Sequence, residues 1–117
     1  MLPKQYRLKK RSAFKATYKV KNSSHSGGVT LFAGILKKED YPTKVGFVVS
    51  KKVHKRAVRR NRLKRLMRES YRLLLKENTL GNSQKYMSLI FVGTENAMNK
   101  PFDEIQKSIK KLIRTLK

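Results

Sequence analysis

Arginines recurring at three- and four-residue intervals carry the most evident chemistry in this sequence. Residues 51–72 read KKVHKRAVRRNRLKRLMRESYR, with Lys or Arg at eleven of 22 positions and Glu69 as the one acid. The segment holds +10 of the chain's net +23. A guanidinium is a planar fork that can bind a phosphate through two hydrogen bonds. A helix this cationic repels itself at many i,i+4 pairs unless a polyanion lies against it. RNA or DNA is therefore the expected partner.

The same segment keeps apolar residues at helical spacing. At about 100° per residue, Leu63, Leu66, Met67, Leu73 and Leu74 share one arc, and Asn61, Lys64, Arg65, Arg68 and Arg72 share the opposite one. A helix over about 55–76 can thus lay its Leu face on a sheet and present its Arg face outward. At about 1.5 Å per residue, Asn61 to Arg72 spans roughly 16 Å, enough to address several phosphates. Glu69 is spaced to hold both Arg65 and Arg72. A merely solvated face normally mixes signs, and this one is almost wholly cationic. Ser50, Lys51 and Lys52 precede the helix, where they form a polar loop or meet phosphate beside its N-terminus.

Other reactive side chains form no constellation. His25 and His54 are read as surface residues. Asp103 and Glu104 are adjacent and suit the first turn of a helix better than metal binding. The seven acids are scattered, no Gly-rich phosphate loop is present, and there is no cysteine. Phe14 and Tyr18 are i,i+4 neighbours, for which core packing is the simpler reading from the residues alone.

The elements that must position these groups fit one domain over 1–117, with 1–11 as a basic flexible arm. Ser12 is read as the N-cap of a helix over about 12–20. KNSSHSGG, 21–28, reads as a turn-rich connector. Strands are predicted at about 29–37, 44–50 and 86–93, and a last helix at about 101–116 with Pro101 in its first turn. The short link between the first two strands suits an antiparallel hairpin. The long helix between the second and third favours a parallel βαβ pairing. The order is αββαβα, an α+β two-layer sandwich whose helices pack on one face of a small mixed sheet. No apolar run approaches the ~20 residues needed to span a bilayer. No secretory h-region follows the basic start.

SKKVHKRAVRRNRLKRLMRE, residues 50–69, resembles the signature of the bacterial ribonuclease P protein subunit. Its Arg-Asn-Arg falls at Arg60, Asn61 and Arg62, followed by Lys64, Arg65, Arg68 and Glu69. RLKKRSAFKATYKV, residues 7–20, is similar to the family's opening. The resemblance implies a left-handed parallel βαβ crossover, against the general right-handed rule. It also implies a role in removing the 5′ leader from precursor tRNA, with the RNA subunit hydrolysing the phosphodiester using Mg²⁺. The protein would bind that RNA through Lys51, Lys52, Arg56, Arg59, Arg60, Asn61, Arg62, Lys64, Arg65, Arg68 and Arg72. An aromatic cleft of Phe14, Tyr18 and Phe32 would take the leader. The implied partners are ribonuclease P RNA and the leader, with no membrane and no required protein partner, in the cytoplasm. No residue of the protein is expected to be catalytic or to bind metal. A ribosomal RNA-binding protein and a helix-turn-helix DNA binder share the charge logic. Flanking strands, without a short second helix at the right turn, disfavour the latter.

Overall fold

A computed structural model describes residues 2–116. It contains α1 (Arg11–Lys19), β1 (Asn22–Ser26), β2 (Val29–Ala33), β3 (Lys44–Val48), α2 (Ala57–Lys76), β4 (Ser88–Gly93) and α3 (Phe102–Thr115). The strands form one mixed sheet in the order β1-β2-β4-β3. β4 pairs antiparallel with β2 and parallel with β3. The α+β class, the mixed sheet and the parallel crossover through α2 agree with the sequence reading.

The expected hairpin between β2 and β3 does not form, because β4 lies between them. Its run Leu89-Ile90-Phe91-Val92 is apolar on both faces, and Leu89, Ile90 and Phe91 are fully buried. Such a strand belongs at the centre of a sheet and needs cover on both sides. Alternation puts Leu89, Phe91 and Gly93 on one face, and Ser88, Ile90 and Val92 on the other. On the first face, a Cβ at Gly93 would strike Leu63 of α2, and Phe91 packs beside Tyr71 of α2. On the second, a Cβ at Gly46, the register partner of Ile90, would strike Phe14 of α1. Helix α1 therefore lies opposite α2 rather than with it.

The main core fills the first face. Leu63, Met67, Tyr71 and Leu74 of α2 and Ile105, Ile109, Leu112 and Ile113 of α3 close over Val29, Leu31, Val45, Leu89 and Phe91. On α2 the buried stripe differs from the Leu arc. Ser70 and Tyr71 are fully buried, whereas Leu66 and Leu73 are only partly covered. Ser70 is tolerated there because its hydroxyl donates to the Leu66 carbonyl at 2.8 Å.

The connector 21–28 contains a strand. β1 pairs with β2 in the register Ser26↔Val29, closed by Gly27 and Gly28 with φ of +57° and +86°. Two left-handed residues in a two-residue loop make the hairpin turn whose twist matches the strands. Its Asn, Ser and His residues suit an exposed edge, where regular alternation is not enforced.

Three boundaries shift. Helix α1 begins at Arg11 with Lys10 at the N-cap, so Ser12 lies inside the first turn and makes no cap bond. Pro101 is the N-cap of α3 rather than a first-turn residue. The regular ladder of β2 stops at Ala33, although Gly34, Ile35 and Lys37 continue to bond with 85–88. The segment 2–8 is docked rather than a loose arm. Leu2 and Leu8 are buried, and the Leu8 N–H donates to the Val45 carbonyl at 2.9 Å. Two apolar anchors and an open β3 edge supply the reason. Met1, the first residue of the predicted arm, and Lys117, just past the last predicted helix, lie outside the described residues.

Candidate nucleic-acid interface

The cationic surface is built on α2 and the loop before it. Lys51, Lys52, Arg56, Arg59, Asn61 and Arg65 are exposed, while Arg60, Arg62, Lys64, Arg68 and Arg72 are half-buried. The loop 51–56 stays compact through short-range contacts. The Arg56 N–H donates to His54 Nδ1 at 3.1 Å, and Arg60 Nη1 donates to the carbonyls of His54 and Lys55 at 2.9 and 2.8 Å. Thus His54 and Arg60 fix the entry to the helix, a role not anticipated for either. Arg62 reaches across to the carbonyls of Met98 and Lys100 at 3.3 and 3.5 Å.

The expected double clamp by Glu69 is single. Its carboxylate accepts from Arg72 Nε at 3.1 Å and from Arg72 Nη2, and no contact with Arg65 forms. That hydrogen bond holds the Glu69 carboxyl below its ordinary range. Arg72–Glu69 is the only ion pair among the described residues. Arg68 places its guanidinium 6.0 Å from the centre of the Phe47 ring, a cation–π contact. The cations left without an internal partner then cluster toward the N-terminal half of α2, where the helix dipole also favours anions.

A second surface lies on the opposite face of the sheet. Helix α1 crosses the strands there, tied to β4 by the 2.5 Å hydrogen bond between Thr17 and Ser88 hydroxyls. Phe14 sits over Gly46, and Tyr18 meets Phe32 edge-on at 4.9 Å between centroids. Phe14, Tyr18 and Phe32 are all half-buried, so they pack against the sheet and still offer ring surface. The structure brings all three together. Beside them the next row of the same face, Thr30, Val48 and Val92, is only partly covered. On this flank of α1 the sheet face is half-open, floored by β-branched residues and edged by aromatics, where the resemblance implies the cleft. β3 leaves it toward Ser50, Lys51 and Lys52, which places cations near its end. The row Thr30, Val48 and Val92 was missed because β-branched side chains in strands read as core.

The ribonuclease P family model matches residues 2–117. The chain belongs to the ribonuclease P protein family. It is 34% identical to the ribonuclease P protein component of Synechococcus sp., over 97% of this chain and 84% of that one. The Clostridium kluyveri protein component is 36% identical over 93% and 92% of the two chains. Among solved structures, the Staphylococcus aureus RNase P protein superposes with a TM-score of 0.78 at 26% identity, covering 96% and 95%. The Thermotoga maritima RNase P protein shares the fold, with a TM-score of 0.77 at 21% identity over 95% and 97%. The chain is thus a protein component of ribonuclease P, an RNA-dependent endoribonuclease that matures tRNA 5′ ends.

No helix among the described residues is long and apolar enough to cross a membrane. No three His, Asp or Glu side chains among them come together as metal ligands.

Proposed function

We propose that this ribonuclease P protein uses its two surfaces for two RNAs. The α2 face and the loop 51–56 dock the catalytic RNA through phosphates. The α1 cleft receives the single-stranded 5′ leader, its bases stacking on Phe14, Tyr18 and Phe32. The observation that supports this reading is the placement of two different surfaces across the sheet, with the exposed cations of 51–65 on one side and the half-buried cluster of Phe14, Tyr18 and Phe32 on the other. Opposed faces leave room for both RNAs at once.

Among the described residues the acids form no cluster of three metal ligands, and on this reading the Mg²⁺ that activates water for phosphodiester hydrolysis lies on the RNA subunit. This chain's residues position the two RNAs and screen their repulsion. The reaction belongs in the cytoplasm, where tRNA precursors are made, and the cysteine-free composition suits a reducing compartment.

The test is reconstitution with ribonuclease P RNA at low Mg²⁺. The wild-type chain should stimulate precursor cleavage, and Phe14→Ala should weaken binding of precursor with leader more than binding of mature tRNA. Equal weakening of both substrates would show that Phe14 only packs α1.

A further inference from the structure

Helix α1 divides its sheet face, and the groove on its far side has no assigned occupant. That groove, of about 560 Å³, is lined by Ala13 and Ala16 of α1 and by Ile35, Tyr41, Pro42 and Met87. Ile35, Tyr41 and Met87 are 53%, 55% and 44% exposed. Single exposed apolar side chains are ordinary, but three gathered in one groove mark a contact surface. The groove shares Gln5, Leu8, Ala13 and Lys44 with a neighbouring trough of about 500 Å³. The cations of that trough are Lys4, Arg7, Lys9, Lys10 and Lys44. An apolar slot opening along one wall into a cationic trough matches the two halves of a nucleotide strand, bases and phosphates. A second copy of this chain is disfavoured, since each carries +23.

We propose that this groove takes bases of single-stranded RNA while the adjoining trough takes their phosphates. The strand is the upstream part of the leader, an assignment that rests on the leader occupying the cleft. Both grooves lie on the face opposite α2. On β4, Ser88 borders this groove and Val92 borders the cleft, four residues or about 13 Å apart. Helix α1 closes the direct path over Ile90, so a leader leaving the cleft passes around the helix to reach the groove.

The test uses holoenzyme reconstituted with wild-type, Tyr41→Ala or Phe14→Ala protein, and precursors carrying leaders of about 4 or about 12 nucleotides. Tyr41→Ala should weaken binding of the long-leader precursor about 5-fold or more and leave the short-leader precursor unchanged. Equal affinity of wild type and Tyr41→Ala for the long leader would overturn the proposal, as would a loss shared by both leaders or by the RNA subunit. Phe14→Ala reports on the cleft separately, because its loss should already appear with the short leader. Methyl spectra of the full-length chain check occupancy directly. Met87 should shift with oligouridine but not with an abasic strand, while buried Met67 and Met98 serve as internal references. A Met87 shift with oligoglutamate and none with oligouridine would assign the groove to an acidic protein instead and overturn the proposal.

Discussion

Opposite changes in salt dependence should follow from two substitutions one turn apart on α2. Ten of the eleven cations from Lys51 to Arg72, all but Lys55, are assigned to the RNA face, and four of these ten have internal partners. Arg60 and Arg62 donate to backbone carbonyls, Arg72 pairs with Glu69, and Arg68 sits over Phe47. Six remain free: Lys51, Lys52, Arg56, Arg59, Lys64 and Arg65. Each phosphate neutralised contributes roughly 0.7–0.9 to the slope of log K against log[salt], so six give roughly −4 to −5. Arg65→Gln removes one free cation and should make the slope shallower by about 0.7–0.9. Glu69→Gln removes no cation and releases Arg72, so the slope should become steeper by a similar amount. Neither should change the melting temperature much, because an exposed ion pair contributes little to stability. The assay is equilibrium binding of labelled ribonuclease P RNA from about 50 to about 200 mM monovalent salt, where the wild-type affinity should fall by two to three orders of magnitude. A slope that becomes shallower in Glu69→Gln would show that Glu69 positions Arg72 for RNA, refuting the assignment of Arg72 as neutralised. A slope near zero in the wild type would remove the phosphate reading altogether.

The remaining expectations concern packing and titration. Gly46→Ala places a methyl 2.5 Å from Phe14 Cζ, the far end of a side chain that can swing away. The fold should survive, but leader binding should fall as the ring leaves its seat, measured against mature tRNA as control. Gly93→Ala instead meets Leu63 at 2.5 Å and Val49 at 3.0 Å within the core, and should destabilise by about 1–3 kcal/mol in urea unfolding. Burial holds the Tyr71 hydroxyl protonated well above the ordinary tyrosine range. The raised folded-state pKa means full stability below about pH 10 and loss above it, as the unfolded state ionises first. Tyr71→Phe should lack that alkaline loss in unfolding measured from pH 8 to 11. Without RNA, the melting temperature should rise with salt as the +23 is screened, and an unchanged value would indicate that self-repulsion is negligible.

Periodic signals were legible in the sequence, and pairing was not. The long helix and its outward Arg side follow from a 3.6-residue repeat set by local geometry. The hairpin assigned to 29–50 failed because loop length says only that two strands can pair. It does not reveal that a later strand, apolar on both faces, has the stronger claim to the centre. β1 was hidden by its polar composition, although Gly27-Gly28 before Val29 is itself a hairpin signal. The site residues were legible by type but not by partner. Arg60, Arg62 and Arg65 look alike in sequence, yet only Arg65 lacks an internal contact, and that difference depends on where residues 54–55 and 98–100 fold.

One strand explains why this small domain has surfaces on both sides. Leu89 and Phe91 call for α2 and α3 on one face, and Ile90 and Val92 call for cover on the other. Helix α1 crosses the strands over the row of Phe32, Ile90 and Gly46, so it seals Ile90 and leaves Val92 in the next row half-open. Incomplete cover of a two-faced strand by a single crossing helix is what creates the cleft on one flank and the Tyr41–Met87 groove on the other. The cationic helix is free to present its outer side because its inner side is fully used in the main core. A second helix laid beside α1 would bury Thr30 and Val92 and close the cleft, so the open row beside that single crossing helix is as much a part of the proposed leader site as the aromatics it carries.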